Sequence, residues 1–289
     1  MNGREFVFTV SDEFNGVQAK HYLRKSCGVS ARTLAKLKRQ DGAMTKNGVH
    51  MTSVDVLKSG DVIKLIMPCD DNEIVPVKGN IDVLYEDEYM IAVNKPCAMP
   101  VHPVRNHQSN TLANLLRAYA QDKGEQYTFR AVNRLDKDTS GIVIIAKDRM
   151  TAAALMQGQR IKKEYAAICE GEILTPGVID LPIRLSDTST MRRIAGDGGA
   201  PSITEYTPLK TENGCTLLRV VLKTGRTHQI RCHLSHIGHP LAGDDLYGGS
   251  RALIERQALH CVKSSFVHPF TEKNIEILAP IPQDFFIKE

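Results

Sequence analysis

Apolar residues along this chain fall into short runs set apart by polar turns, and their spacing shifts from mostly helical to mostly strand-like. Near the start, Phe6-Val7-Phe8 predicts a strand, and residues 17–25 have helical apolar spacing that Gly28 would end. A second helix follows, with Ser30 as N-cap, Leu34 and Leu37 on one face, and Arg32, Lys36 and Arg39 on the others. Asn47-Gly48 signals a turn, and Ser59-Gly60-Asp61 leads into a strand at residues 62–66. From Pro68 to Gly79 the chain carries breakers and the run Asp70-Asp71-Asn72-Glu73, which predicts a linker over 71–79. Beyond it, strands are expected at residues 81–85 and 89–93, around the acidic turn Glu86-Asp87-Glu88.

Ser109-Asn110-Thr111 then caps a helix that carries Leu112, Leu115, Leu116 and Tyr119 at core spacing. Ile142-Val143-Ile144-Ile145-Ala146 is an unbroken apolar run, the pattern of a buried strand. A short Ala-rich helix at 150–157 precedes strands at 162–168 and 216–222, a helix ending at Gly238, and closing strands at 259–262 and 274–278.

Composition narrows the class. A length of 289 residues exceeds the roughly 100–200 of one domain and predicts two. Hydrophobic residues at 42% and charged residues at 24% are ordinary for a folded globular chain. No apolar run approaches the ~18 residues of a membrane span, and the first residues carry acids in place of a signal peptide. The seven cysteines are scattered and never paired as C-x-x-C, which fits a reducing, cytoplasmic setting. Residues 1–70 hold 11 Lys and Arg against 7 Asp and Glu, so the whole net charge of +4 lies in that first quarter. Arg32, Lys36, Lys38 and Arg39 sit in its densest part, where a phosphate-binding surface and a solvated helix face are both open readings.

Two stretches carry candidate chemistry. Asn133-Arg134-Leu135-Asp136-Lys137-Asp138-Thr139-Ser140-Gly141 places charge directly before the most apolar strand, so a loop holding Asp136 enters the core. Residue by residue this is also what a polar turn before a strand looks like. His228, His233, His236 and His239 lie within twelve residues, which raises a zinc site; there is no H-E-x-x-H and no paired cysteine nearby, and Gly238-His239-Pro240 breaks the helix.

Read as strings, these stretches resemble the RluA-like pseudouridine synthases. NRLDKDTSG is similar to their HRLD-x-x-TSG signature, with Asn133 in the place of the usual His. VNKPCAMPVHP resembles NKP-x-G-x-x-V-H-P, with Ala98 for the Gly. KKEYAAI resembles their K-x-Y segment. KTGRTHQIRCHLSHIGHPLAGDDLYGG follows GRTHQIR-x-H and a G-D-x-x-Y-G tail almost position by position. SARTLAKLKRQDGAMTKNG followed by LKSGDVIKL is similar to a small RNA-binding module first recognised in a ribosomal small-subunit protein.

The resemblance implies an α+β protein: a small basic module over 1–70, then a catalytic domain over 80–289 built on a mixed, mainly antiparallel sheet with few helices. It implies isomerisation of uridine to pseudouridine in structured rRNA or tRNA, without cofactor or metal, by a monomer with no membrane attachment. Asp136 would be the nucleophile, Tyr165 would lie against the target base, and Arg226 would sit beside Asp136 with Arg231 and His233 in support. Arg134 would be the inserted arginine, and Lys95, His102, Thr139 and Arg231 would meet the substrate. Residues 187–201, rich in Gly and Arg, are expected to be a mobile surface loop able to touch RNA. The other classes carried alongside are a non-catalytic RNA-binding protein on the same fold and a metal-dependent hydrolase using the histidines.

Overall fold

The computed structural model describes residues 3–68, 74–104, 108–125, 128–157, 161–188 and 191–287. The acidic run at 70–73 and residues 189–190 of the Gly/Arg-rich segment lie outside the described residues.

The first unit is strand β1 (Gly3–Thr9), helices α1 (Ala19–Lys25) and α2 (Ala31–Leu37), and strands β2 (Met44–Lys46), β3 (Val49–His50) and β4 (Val62–Pro68). The Ser30 hydroxyl accepts the Thr33 amide at 3.1 Å, the N-cap that the sequence promises. The strands form an antiparallel sheet in the order β1-β4-β2-β3, and Leu23, Leu34 and Leu37 of the helices share a core with Phe6, Ile63 and Leu65. That core does not end with the module. Met150 belongs to it, Tyr89 and Phe270 pack against it, and the Arg4 guanidinium lies 4.3 Å from the Tyr89 ring centre and 3.4 Å from Asp148. The expected linker is likewise not free chain along its whole length, since the Asn114 side-chain amide donates to Val75 O at 2.8 Å and the Val77 amide to Asn114 O at 3.1 Å.

The rest of the chain runs β5 (Val83–Glu86), β6 (Met90–Lys95), α3 (Leu112–Asp122), β7 (Arg130–Ala131), β8 (Ser140–Ala146), α4 (Arg149–Gln157), β9 (Lys162–Glu170), β10 (Gly177–Asp180), β11 (Ile183–Leu185), β12 (Arg193–Ala195), β13 (Ile203–Glu212), β14 (Cys215–Leu222), α5 (Gln229–His236), β15 (Leu259–Val267) and β16 (Asn274–Leu278). The main sheet follows the order β10-β13-β14-β9-β15-β8-β6-β5, with β16 beside β15 and β7 beside β8. Every pairing in it is antiparallel except β8 with β15. The α+β architecture with its mainly antiparallel sheet is therefore as the sequence implies.

β8 is buried along its whole length, as is most of β6, which is why these segments read as continuous apolar runs with no alternation. Leu112 and Leu116 of α3 and Leu155 of α4 join the same core. Each such Leu or Ile, fully buried, contributes roughly 1.5–3 kcal/mol. The segment expected to be a mobile loop instead holds strand β12, paired with β11, and the Arg193 amide donates to the Tyr247 hydroxyl at 2.8 Å. One of its glycines serves close packing: a Cβ at Gly199 would lie 2.5 Å from backbone of Ile183.

The parallel seam is the tightest point. Gly141 faces Cys261 across it at φ +107°, and a Cβ on Gly141 would stand 2.3 Å from Cys261 O. Alanine there must displace backbone on β15. Gly141→Ala should therefore lower stability by about 1–3 kcal/mol or more, read as a lower urea midpoint at unchanged slope. A midpoint equal to that of the parent would mean that the seam relaxes freely.

Candidate active site

Asp136 sits in the turn that enters β8, and almost every neighbour in that turn is tied down. The buried Asn133 amide spans two residues of β8, donating to Ile142 O at 3.0 Å and accepting the Ile144 amide at 2.8 Å. Asparagine in the place of histidine thus adds a rung to the strand ladder. Leu135 enters the core, the Thr139 amide closes the turn onto Asp136 O at 3.1 Å, and Gln257 donates to the Thr139 hydroxyl at 3.1 Å. Inward side chains at 133, 135 and 139 leave Arg134 exposed and Asp136 half-exposed, with 27% of its side chain open to solvent.

Lys95 was expected to meet the substrate, and its position rules that contact out. Its side chain is 0% exposed, and its ammonium donates to Pro96 O, Met99 O and Lys137 O at 2.8–3.0 Å. Three carbonyls from two loops occupy its three protons, so Lys95 holds the Asp136 turn from below. Burial pulls its pKa down to about 8. Thr139, only 2% exposed, is likewise a closing residue of the turn although its edge lines a small pocket beside Asp136 and Arg231.

The guanidinium at Asp136 belongs to Arg231. Its Nη1 donates to Asp136 Oδ2 at 3.0 Å, while Nε and Nη2 grip both oxygens of the buried Asp244 at 2.6 and 2.8 Å. Burial works against the Arg231 charge, but the bonds and charge of Asp244, then of Asp136, outweigh it and raise its pKa. Arg226, which was expected beside Asp136, instead directs its Nε to Pro201 O at 3.3 Å from the exposed rim. The reason is geometric. Residue 226 lies in the turn before α5, where the Gln229 side chain fixes its amide, whereas residue 231 lies on the buried face of the helix.

His228 completes the surround. It caps α5 in the left-handed region at φ +56°, a strained setting for a non-glycine, and its Nε2 lies 3.7 Å from Asp136 Oδ2. The Tyr247 hydroxyl accepts the Arg193 amide at 2.8 Å and is hydrogen-bonded to His228 Nδ1 at 3.1 Å, which fixes the ring with Nε2 toward Asp136. Burial pulls the His228 pKa below its ordinary value, against the field of Asp136. The four histidines do not converge. His233 is committed to Thr204 and Leu181 O, and His239 to Glu170 O, with no metal-ligating group among the described residues.

Asp136 opens into a cavity of about 510 Å³, the size of a small-molecule site, lined also by His102, Arg134, Tyr165 and Arg226. Tyr165 is almost wholly buried on β9, and burial, then Cys261 and Asp136, raise its pKa well above that of a free phenol. His102 packs edge-on against Phe129, its pKa lowered by burial and then by Arg134.

Residues 89–236 match the family model for RNA pseudouridylate synthase. A Bacillus subtilis protein named uncharacterized RNA pseudouridine synthase YjbO is 38% identical over 89% of this chain and 93% of its own length. The chain belongs to the RNA pseudouridylate synthase family. Ribosomal large subunit pseudouridine synthase D of Pseudomonas aeruginosa is 34% identical over 85% of this chain and 82% of its own. Among solved structures, human RNA pseudouridylate synthase domain containing 1 is similar at a TM-score of 0.57 and 25% identity, covering 70% of this chain and 83% of the human one.

For this synthase, sequence reasoning gave no part beside Asp136 to Asp244 or Tyr247, and weighed His228 only as a zinc ligand. Asp244 and Tyr247 stood in the recognised G-D-x-x-Y-G tail, where a carboxylate between glycines was the available signal. The Arg231 assignment is testable by keeping charge and removing the fork. Arg231→Lys cannot grip Asp244 with two bonds and still reach Asp136, so turnover should fall at least about tenfold, with Asp244→Asn falling in parallel. Near-parental pseudouridine formation by Arg231→Lys, with Arg226→Lys inactive, would return the carboxylate contact to Arg226.

Proposed function

We propose that Asp136 is the nucleophile with which this enzyme converts uridine in RNA to pseudouridine, and that its substrate is ribosomal RNA. The observation that carries the reading is Asp136 itself, half-exposed at the base of the cavity beside Tyr165 and anchored 3.0 Å from a guanidinium already fixed by Asp244. The reaction breaks the bond from C1′ to N1, turns the uracil, and joins C1′ to C5 with loss of the C5 proton. A carboxylate that traps the ribose or base while that bond is open divides one hard step into two. Arg231 offsets its charge and fixes its direction, so little reorganisation is left for the chemical step.

A uridine stacked in RNA has to leave the helix to reach such a cavity. Arg134, exposed beside Asp136, is suited to fill the space that the base leaves. Tyr165 supports the flipped base as a neutral phenol. Its raised pKa weighs against a phenolate acting as general base near neutral pH. The basic surface of α2 and the turn after it, with Arg32, Lys38 and Arg39 exposed and Lys36 partly buried, supports RNA binding by the first module. The relatives named for the ribosomal large subunit favour ribosomal over transfer RNA. We take the working unit to be a monomer.

Asp136→Asn keeps size and hydrogen bonding but removes the nucleophile. Tritium release from 5-labelled uridine in ribosomal RNA should vanish while RNA binding persists; turnover at a tenth of the parent rate would sink the assignment. Because a carboxylate needs no Lewis acid for this transfer, activity should also survive exhaustive chelation. Activity that is lost to the chelator and restored by zinc would bring back the histidine-based hydrolase reading.

A further inference from the structure

Lys163 stands two residues before Tyr165 on β9, so the two side chains share a face, and both line the cavity that holds Asp136. Lysines drawn into this fold elsewhere meet oxygen. Lys147 lies between Glu86 and Glu125, and Lys95 among three carbonyls. Lys163 is half-buried, yet among the described residues its ammonium has no hydrogen bond or ion pair. Its end lies against the backbone of the turn after β14, where a Cβ at Gly225 would stand 3.8 Å from Nζ. Burial lowers its pKa, with the nearby Cys261 opposing that shift.

A half-buried, unpartnered ammonium is unfavourable in the free protein and is retained where a ligand brings the anion. Charges around the cavity are sorted in a way that identifies the anion. The carboxylate of Asp136 is held by Arg231, whereas Arg134, Arg226 and Lys163 on the other walls have no carboxylate within ion-pair distance among the described residues. A uridine whose C1′ meets Asp136 and whose base meets Tyr165 must carry its phosphodiester along those cationic walls.

We propose that Lys163 binds the backbone phosphate of the flipped uridine and so draws that nucleotide into the cavity. This rests on the function proposed above, and it assigns Lys163 to substrate capture, apart from the chemical step. Loss of the ammonium should weaken RNA binding and leave the bond changes alone.

The test uses ribosomal RNA from cells lacking this gene, so that the target is unmodified uridine. In the Asp136→Asn protein, which needs no turnover, Lys163→Met should flatten the dependence of log affinity on log salt by about 0.7–0.9 units, one phosphate contact. Lys163→Arg should keep the parental slope, and Lys162→Met, on the opposite face of the strand, should keep it too. In the active enzyme, Lys163→Met should raise KM about tenfold near physiological salt with kcat within about twofold. An unchanged slope would overturn the proposal. So would equal losses from Lys162→Met and Lys163→Met, which would mean diffuse attraction. A fall in kcat at unchanged KM, not rescued by arginine, would overturn it by assigning Lys163 to the support of Tyr165. If the parent protein makes no pseudouridine, the function proposed above fails while the salt slope still decides whether Lys163 holds a phosphate.

Discussion

One row of backbone pairing across the sheet fixes the position of nearly everything the site uses. Lys95 of β6 lies beside Gly141 of β8, Gly141 beside Cys261 of β15, Cys261 beside Tyr165 of β9, and Tyr165 beside Val220 of β14. Three stretches far apart in sequence, the N-K-P, T-S-G and K-x-Y segments, are neighbours because of that row. Its weak point is the parallel seam at Gly141, where only the absence of a Cβ lets β8 approach β15. A shift of one residue in any of these strands would turn its side chains to the other face, so the register of the core and the geometry of the site are one constraint.

Electrostatics complete what the row begins, and the contributions are unequal. Asp244 is buried and takes two of the three Arg231 bonds, so it sets where the guanidinium stands; Asp136 receives the third. A buried ion pair of this kind adds little net stability against its desolvation, yet a charge left unpaired by losing its partner costs several kcal/mol. The arrangement is better understood as orientation. The carboxylate is aimed by an arginine that cannot move without stranding Asp244, while Lys95 holds the same turn from below through uncharged carbonyls.

Much of this was legible in the sequence, and the failures have physical reasons. The apolar run at Ile142-Val143-Ile144-Ile145-Ala146, the Ser30 cap and the loop-to-strand placement of Asp136 were readable because each is a local pattern. β13 was not, since Pro208 interrupts it at a register shift and its far end is exposed, which hides the alternation. The pairing of β11 and β12 was hidden by glycines that looked like flexibility, although Gly196 and Gly198 supply turn conformations at positive φ and Gly199 packs closely on Ile183. Exchanging the parts of Arg226 and Arg231 was an error of helix phase: both belong to one motif, and only the start of α5 decides which of them turns inward. Lys95 misled for a similar reason, because a lysine in a motif suggests a ligand contact and nothing local reveals three carbonyls around it.

The contact between the two cores alters what the basic N-terminal unit means for the site. Sequence composition suggested a basic module over 1–70 joined to the catalytic domain by a linker over 71–79. In the folded chain, Phe6 of β1 packs 5.6 Å from Phe270, and Arg4 lies over Tyr89 and against Asp148. Swinging the module away would expose Phe6 at a cost of about 1.5–3 kcal/mol and break the Arg4 contacts as well. Tyr89 immediately precedes β6, the strand that ends at Lys95, so the surface that docks the module adjoins the strand that supports the Asp136 turn. RNA bound on the face of α2, as proposed above, would be presented to the cavity from a defined direction, set by aromatic packing more than by the length of the chain between the units.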